Sequence, residues 1–141
     1  MSDMGTLPLG GRLDMPNASA AVAINDRGQV IGDSYVSSND PEYYGFLWQN
    51  RKMSDLAGVE GIAVAINERG QVVGSSGEST WSAGSWHAAL WRDGRKTDLG
   101  ALAGHAYSDA VAINERGEIV GRSYSGITED LDVSKPRAFL W

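Results

Sequence analysis

This sequence of 141 residues contains no cysteine, only four prolines and only two histidines. The missing cysteines exclude disulfide bonds and thiolate metal sites. No apolar run approaches the roughly 20 residues that a membrane-spanning helix needs. The N-terminus also lacks the basic, apolar-cored pattern of a signal peptide. The compartment stays open: cytoplasmic if Met1 is the native start, extracellular if the chain was excised from a secreted parent.

Concentrated positive charge is missing as well. The chain carries 18 acidic and 12 basic side chains, for a net charge of −6, whereas a nucleic-acid surface needs clustered Lys and Arg. It contains no Gly-x-Ser-x-Gly elbow, no phosphate-binding loop and no dinucleotide fingerprint. We therefore expect no nucleic-acid partner, no membrane partner, no cofactor and no metal centre.

The chain does contain three close variants of one ten-residue sequence, at residues 23–32, 65–74 and 112–121. Its Asn residues, Asn25, Asn67 and Asn114, are 42 and 47 residues apart. A second motif, which ends in Leu-Trp, follows each copy. Spacings of 20 to 50 residues indicate stacked supersecondary units. We predict a single domain of three repeats, at about residues 1–52, 53–96 and 97–141.

Each repeat is predicted to form four β-strands. In the second repeat, short segments with apolar residues are separated by turns at residues 67–70 and at Asp93-Gly94, where Asn, Asp and Gly favour tight hairpins. Apolar residues occupy consecutive positions, which is typical of sheets buried on both faces. The fold class is therefore all-β. The predicted strands of the second repeat are residues 62–66, 71–75, 87–91 and 96–99.

Small sheets packed face to face are the blades of a β-propeller. Residues 1–4 match the sequence of a predicted fourth strand. Leu140-Trp141, at the other end, match the sequence of a predicted third strand. Three blades cannot close a ring, since propellers have about four to eight. We therefore predict a homodimer in which two chains exchange outer strands and form one six-bladed ring. The alternative is a monomeric β-trefoil, which also has three repeats.

These phrases resemble the HAF repeat, a module named for a His-Ala-Phe triplet and found in bacterial, often extracellular, proteins. The resemblance rests on Ala-Ile-Asn-x-x-Gly-x-[Val/Ile]-[Val/Ile]-Gly and the closing Phe-Leu-Trp, and it spans almost the whole chain. The naming triplet is incomplete at residues 44–46, 87–89 and 137–139, which argues against a shared catalytic histidine. The resemblance implies a propeller-like architecture and no particular activity.

Functional side chains are expected on one side of the sheets, which we call the loop side. It carries the variable loops between second and third strands and the crossings between repeats, whereas the opposite side carries the repeated turns. Variable loops on a repeated scaffold are where function is placed. Aromatic rings with carboxylates and an Arg suit sugars, whose apolar faces stack while their hydroxyls hydrogen-bond. The predicted ligand-binding residues are Tyr43, Trp81, Trp86, Tyr107, Arg122 and Tyr124.

Three functions are compatible with this pattern. The first is carbohydrate or small-molecule recognition on the loop side. The second is an enzyme for hydrolysis, isomerisation or cyclisation, in a pocket on that side or where two chains meet. It would use His105 or His87 with Glu78 or Asp109 as acid and base. The third is a repeat scaffold that only self-assembles.

Several of these residues also have a structural interpretation. Trp86 and Tyr124 can cap strand ends, and His87 can be a half-buried imidazole before a buried strand. The repeated Asn and Arg of the turns are predicted to shape and pair the hairpins. Asp55 and Asp98 are expected to make structural hydrogen bonds. The repeated tryptophans are predicted to lie in the core; they are Trp48, Trp91 and Trp141.

Overall fold

The computed structural model describes residues 1–7, 17–36, 43–56, 60–77, 86–125 and 136–141. Within these ranges the chain is all-β and forms three antiparallel sheets without a helix, which confirms the predicted class. None of the described residues belongs to a helix that could cross a membrane.

The first sheet has four strands in sequential order. They are β1 (Asn17–Ile24), β2 (Val30–Val36), β3 (Tyr43–Gln49) and β4 (Lys52–Asp55). The middle sheet repeats this arrangement with β5 (Gly61–Ile66), β6 (Val72–Gly77), β7 (Trp86–Arg92) and β8 (Arg95–Asp98). The third sheet has three strands, β9 (Tyr107–Ile113), β10 (Ile119–Tyr124) and β11 (Arg137–Leu140). In the described ranges, every strand pairs only with neighbours of its own repeat.

The repeated Asn builds the turn between the first and second strands. The Asn67 Oδ1 atom accepts hydrogen bonds from the backbone N–H groups of Arg69 and Gln71, at 3.1 and 3.0 Å. Gly70 closes the turn at φ +74°, a left-handed conformation that glycine adopts without steric cost. The predicted hairpin turn at residues 67–70 is confirmed, and so is the one at Asp93-Gly94, where φ is +52° and +72°.

The same Asn connects neighbouring repeats. The Asn25 Nδ2 atom donates to the backbone oxygen of Asn67, and Asn67 Nδ2 donates to that of Asn114, each at 3.0 Å. The N–H group of Asp26 likewise donates to the carboxylate of Glu68 at 2.8 Å. A row of identical hydrogen bonds therefore runs across the turns of all three sheets.

The middle sheet is buried on both faces. Val72 and Trp91 pack toward the first sheet, in a cluster that includes Ile31. Val73 and Leu90 pack toward the third sheet in a second cluster. Burial on both faces explains why the strand sequences do not alternate between apolar and polar residues.

The outer faces of the two end sheets differ from these interior faces. Part of the first sheet is covered by the N-terminal segment, whose Leu7 is buried against Val30 and Phe46. On the third sheet, by contrast, Leu140 is 70% exposed and Trp141 is 53% exposed. The core prediction is therefore right for Trp91, which is 2% exposed, and wrong for Trp141. The reason is that, among the described residues, the third sheet has neither a fourth strand nor a neighbouring sheet beyond it.

Candidate functional site

Two pairs of tyrosines lie on the loop side, each formed across neighbouring strands. Tyr35 of β2 is opposite Tyr43 of β3, with ring centroids 5.4 Å apart and planes tilted by 37°. Tyr107 of β9 is opposite Tyr124 of β10, with centroids 5.6 Å apart and planes only 12° from parallel. Directly opposite residues are close enough for aromatic contact. The third sheet therefore carries a stacked aromatic pair where its strands reach the loops.

An ion pair lies beside the stacked rings. Asp109 and Arg122 are also directly opposite one another, two residues farther along the same strands. Because side chains two residues apart point to the same face of a strand, these four groups share one face. The Arg122 Nε atom donates to Asp109 Oδ2 at 2.7 Å. The sheet register thus joins two aromatic rings, a carboxylate and a guanidinium in one cluster.

Electrostatics in this cluster favour the neutral tyrosine and the charged arginine. Burial raises the pKa of Tyr124, and the charge of Asp109 and a hydrogen bond with it raise it further, although Arg122 opposes the change. The hydrogen bond and the charge of Asp109 also raise the pKa of the Arg122 guanidinium. The Arg122 side chain is 64% exposed. Since a guanidinium has five N–H donors, Arg122 can bind a ligand while it keeps its bond to Asp109.

His87 is engaged in a structural contact on the middle sheet. Its Nδ1 atom lies 3.0 Å from Asp98 Oδ2, and Asp98 Oδ1 accepts the N–H of Gly100 at 2.7 Å. Burial would raise the pKa of Asp98, but the hydrogen bonds from His87 and Gly100 outweigh it and lower that pKa. The expected half-buried histidine and structural Asp98 are both confirmed. His87 joins β7 to β8 rather than serving a pocket.

His105 lies in the turn that precedes β9. Its backbone N–H donates to the oxygen of Leu102 at 2.9 Å, and the next residue, Ala106, donates to the oxygen of Tyr124 at 3.2 Å. The His105 Nδ1 atom is buried without a hydrogen-bond partner among the described residues. The turn therefore brings this imidazole to the loop side, whereas the carboxylate of Asp109 is bonded to Arg122.

Of the three remaining predicted residues, only Trp86 lies in the part of the chain that the structure describes. Trp86 is half-buried at the start of β7, opposite Gly77. Glu78 and Trp81 lie outside the described residues. No group of three or more His, Asp or Glu side chains within the described ranges is arranged to hold a metal ion.

The carboxylate of Asp33 joins two sheets. Asp33 of β2 accepts the backbone N–H of Ala63 in β5 at 3.0 Å. Burial raises its pKa, and the hydrogen bond from Ala63 only partly offsets this effect. The pairing of Asp109 with Arg122 was missed, because counting outward from the Asn114 turn places Ala110 opposite Arg122. The register shift between Val120 and Gly121 brings Asp109 there instead.

Comparison with protein-family models, with curated proteins and with solved structures found no match. The resemblance to the HAF repeat therefore stays a prediction from the repeated motif.

Proposed function

We propose that this chain is a ligand-binding module that recognises a carbohydrate on the loop side of its third sheet. The observation that supports this function is the stacked Tyr107–Tyr124 pair beside the exposed guanidinium of Arg122. Aromatic rings offer apolar area at low conformational cost, and their polar ends remain available for hydrogen bonds. Sugars require this combination of a stacking surface and fixed polar groups.

We further propose that the three sheets are blades of a β-propeller of the HAF-repeat type. Sequential strand order, one sheet per repeat and a middle sheet buried on both faces all support this architecture. A β-trefoil would instead pair strands from different repeats to close its barrel. Because propellers have about four to eight blades, we propose that two chains complete one ring of six.

The enzymatic alternative has less support from the described residues. His87 contacts Asp98, and Asp109 is bonded to Arg122. His87 and Asp109 therefore do not form the predicted acid–base pair. His105 is the remaining candidate for proton transfer, since its Nδ1 atom has no partner among the described residues.

The proposed binding is tested by a glycan array, followed by titration of intrinsic fluorescence with the glycans that score. Tyr124→Ala removes one ring of the stacked pair, and we expect at least tenfold weaker binding. Tyr35→Ala removes one ring of the tilted pair on the first sheet and serves as the matched control, with affinity unchanged. Arg122→Gln tests the polar contribution and should weaken binding without unfolding the chain.

Two outcomes would contradict the proposal. The first is the absence of any glycan that binds the folded wild-type protein at millimolar concentration. The second is a glycan whose affinity falls equally in Tyr35→Ala and Tyr124→Ala, because the stacked pair would then have no special role.

A further inference from the structure

From the two end faces of the stack we infer that the third sheet of one chain binds the first sheet of a second copy, and that residues 1–4 of that copy supply its fourth strand. This inference deepens the proposed six-bladed ring by assigning the contact surfaces, and it rests on that architecture. Three separate observations point to the same partner.

The first observation is the exposure of equivalent apolar residues. Val73 and Leu90 of the middle sheet are 0% and 8% exposed because they pack against the third sheet. Their equivalents on the third sheet, Val120 and Leu140, are 45% and 70% exposed. At the other end of the stack Ile24 is 68% exposed. The free face of the third sheet is thus chemically the same as a face that is buried one repeat earlier.

The equivalents of Ile24 show what its exposed side chain lacks. Ile66 packs against the cluster between the first and middle sheets, and Ile113 packs against the cluster between the middle and third sheets. Each of these isoleucines contacts the sheet that precedes its own. Ile24 belongs to the first sheet, and no sheet precedes it in the part of this chain that the structure describes. A third sheet from another copy would cover it in the same way.

The second observation is the geometry of the N-terminal segment. The N–H of Gly5 donates to Asp3 Oδ1 at 2.8 Å, as the N–H of Gly100 donates to Asp98 Oδ1 at 2.7 Å. Gly5 and Gly100 have φ of +80° and +69°. Asp98 ends a fourth strand. The segment after Asp3 therefore follows the path taken after a fourth strand, although residues 1–4 pair with none of the described strands of this chain.

The contacts that follow are repeated too. The Ser19 Oγ atom donates to the oxygen of Gly5 at 2.8 Å, and Ser108 Oγ donates to that of Gly100 at 2.5 Å. Leu7 N–H donates to the hydroxyl of the serine on the second strand of its sheet, at 3.3 Å. Leu102, which is equivalent to Leu7, donates in the same way to the serine on the second strand of the third sheet, at 3.0 Å. Residues 1–7 thus already have the arrangement of a fourth strand and the segment after it, and in our inference that strand belongs to the third sheet of the partner.

The pairing register follows from the middle sheet. There Leu90 lies opposite Thr97, and Ala89 lies opposite Asp98. The equivalent pairs are Leu140 with the partner's Ser2, and Phe139 with the partner's Asp3. Because one edge of β11 pairs with no other described strand, its backbone groups can accept this strand.

The charges at this edge are complementary. Arg137 occupies the position of His87, which contacts Asp98 in the middle sheet. In the pairing just described, Arg137 lies beside the partner's Asp3. A cation therefore meets an anion where the middle sheet has its histidine–carboxylate contact.

The third observation is the row of hydrogen bonds across the turns. Asn25 and Asn67 each donate an Nδ2 hydrogen to the backbone oxygen of the next repeated Asn. Among the described residues, Asn114 Nδ2 donates to Glu118 of its own turn and not to another repeat. Its second amide hydrogen would reach the backbone oxygen of the partner's Asn25. Two such contacts, related by a two-fold axis, complete the row around six sheets.

Cysteine cross-linking tests the register directly, because the native chain has no cysteine. The double variant Ser2→Cys/Leu140→Cys should form disulfides between two chains and run at about twice the 15.1 kDa of one chain on a non-reducing gel. The matched control is Leu90→Cys/Thr97→Cys, whose residues are opposite each other within one chain. It should cross-link without changing the chain mass. Directly opposite strand residues have Cα separations suitable for a disulfide.

Light scattering tests the apolar contact and separates this inference from the proposed architecture. We expect a particle of about twice 15.1 kDa for the wild type. Val120→Glu should weaken association at least a hundredfold, since it places a charge on the free face. Thr97→Glu, at an exposed position of β8, should leave association unchanged.

The outcomes are distinguishable. A dimeric particle in which the Ser2–Leu140 cross-link does not form overturns the assigned contact but not the ring of two chains. A Ser2–Leu140 cross-link inside one chain overturns both, because the third sheet would then receive its fourth strand from its own chain. A ladder of cross-linked higher oligomers overturns closure by two copies. A stable single-chain particle overturns both the ring and the contact, while carbohydrate binding by that particle would still support the proposed ligand function.

Discussion

At the scale of single residues, the repeated Asn both shapes its own turn and connects neighbouring repeats. Asn67 is 2% exposed and uses both ends of its amide. Its oxygen accepts two backbone N–H groups of its own turn, and its nitrogen donates to Gln71 and to the next repeat. No other residue type of this size offers an acceptor and two donors at these positions.

Replacing Asn67 should therefore destabilise the chain. We expect Asn67→Ala to lower the free energy of unfolding by about 3 kcal/mol, because buried backbone groups lose their partners. Asn67→Asp keeps the acceptor of the turn and removes the donors to Gln71 and Asn114, so it separates the contribution of the amide donors from that of the acceptor. Urea denaturation measures both. A loss of less than about 1 kcal/mol in Asn67→Ala would show that the turn is maintained without this side chain.

Asp33 gives a pH dependence with a defined sign. Its folded-state pKa is raised above 3.8, chiefly by burial, so the folded state binds a proton more readily than the unfolded state. Between 3.8 and the raised value, stability falls as pH increases. We expect Asp33→Asn to keep the bond to Ala63, to be at least as stable at pH 7 and to flatten this part of the stability profile.

The measurement is urea unfolding of both proteins at several pH values from acid to neutral. Asp33→Ala is the control, since it leaves the N–H of Ala63 without an acceptor and should destabilise the chain at every pH by about 1–3 kcal/mol. A marked loss of stability in Asp33→Asn at pH 7 would contradict the argument.

At the scale of the elements, the close approach of strands explains the last glycine of each repeated sequence. A Cβ atom at Gly74 would overlap the backbone oxygen of Ile62, and one at Gly32 would overlap that of Ala20. Both glycines lie on the second strand of their sheet, next to the point where a bulge in the first strand shifts the register. The bulge brings the backbones together, and glycine alone fits there.

We expect Gly74→Ala to lower the free energy of unfolding by about 3 kcal/mol, since the atom that it meets is backbone and cannot rotate away. Gly94→Ala is the control, because Gly94 has φ +72° but open space around a Cβ. Its cost should be only the about 1 kcal/mol of a left-handed alanine. Thermal unfolding of the two variants gives the comparison, and equal losses would refute the steric explanation.

At the scale of the whole molecule, the core consists of separate clusters between adjacent sheets. One cluster joins the first and middle sheets, and another joins the middle and third sheets. Val73 is fully buried in the second of these. Stability of such a stack depends on the contacts between neighbours, as in other repeat proteins.

We expect Val73→Ala to reduce the free energy of unfolding by about 2 kcal/mol, from lost burial and the cavity that remains. Val22→Ala removes the same atoms at a position that is 50% exposed and should cost less than about 0.5 kcal/mol. Chemical denaturation followed by tryptophan fluorescence measures the difference. Similar losses at the two positions would mean that the clusters do not control stability.

The sequence by itself determined the elements, their turns and the grouping of strands into repeats. Asn, Asp and Gly act within a few residues of their own backbone, so the hairpins at residues 67–70 and at Asp93-Gly94 can be read locally. Consecutive apolar residues such as Val72-Val73 likewise indicated a sheet covered on both faces.

Tertiary structure alone decided which side chains meet. The sequence contains two histidines and several carboxylates, but it did not indicate that Asp98 would contact His87 or that Asp109 would bond to Arg122. Nor could the motif distinguish Trp91, in the core, from Trp141, on a free face. The physical reason is that partner choice and burial depend on strand register and on the presence of a neighbouring sheet, and these are properties of the assembled stack.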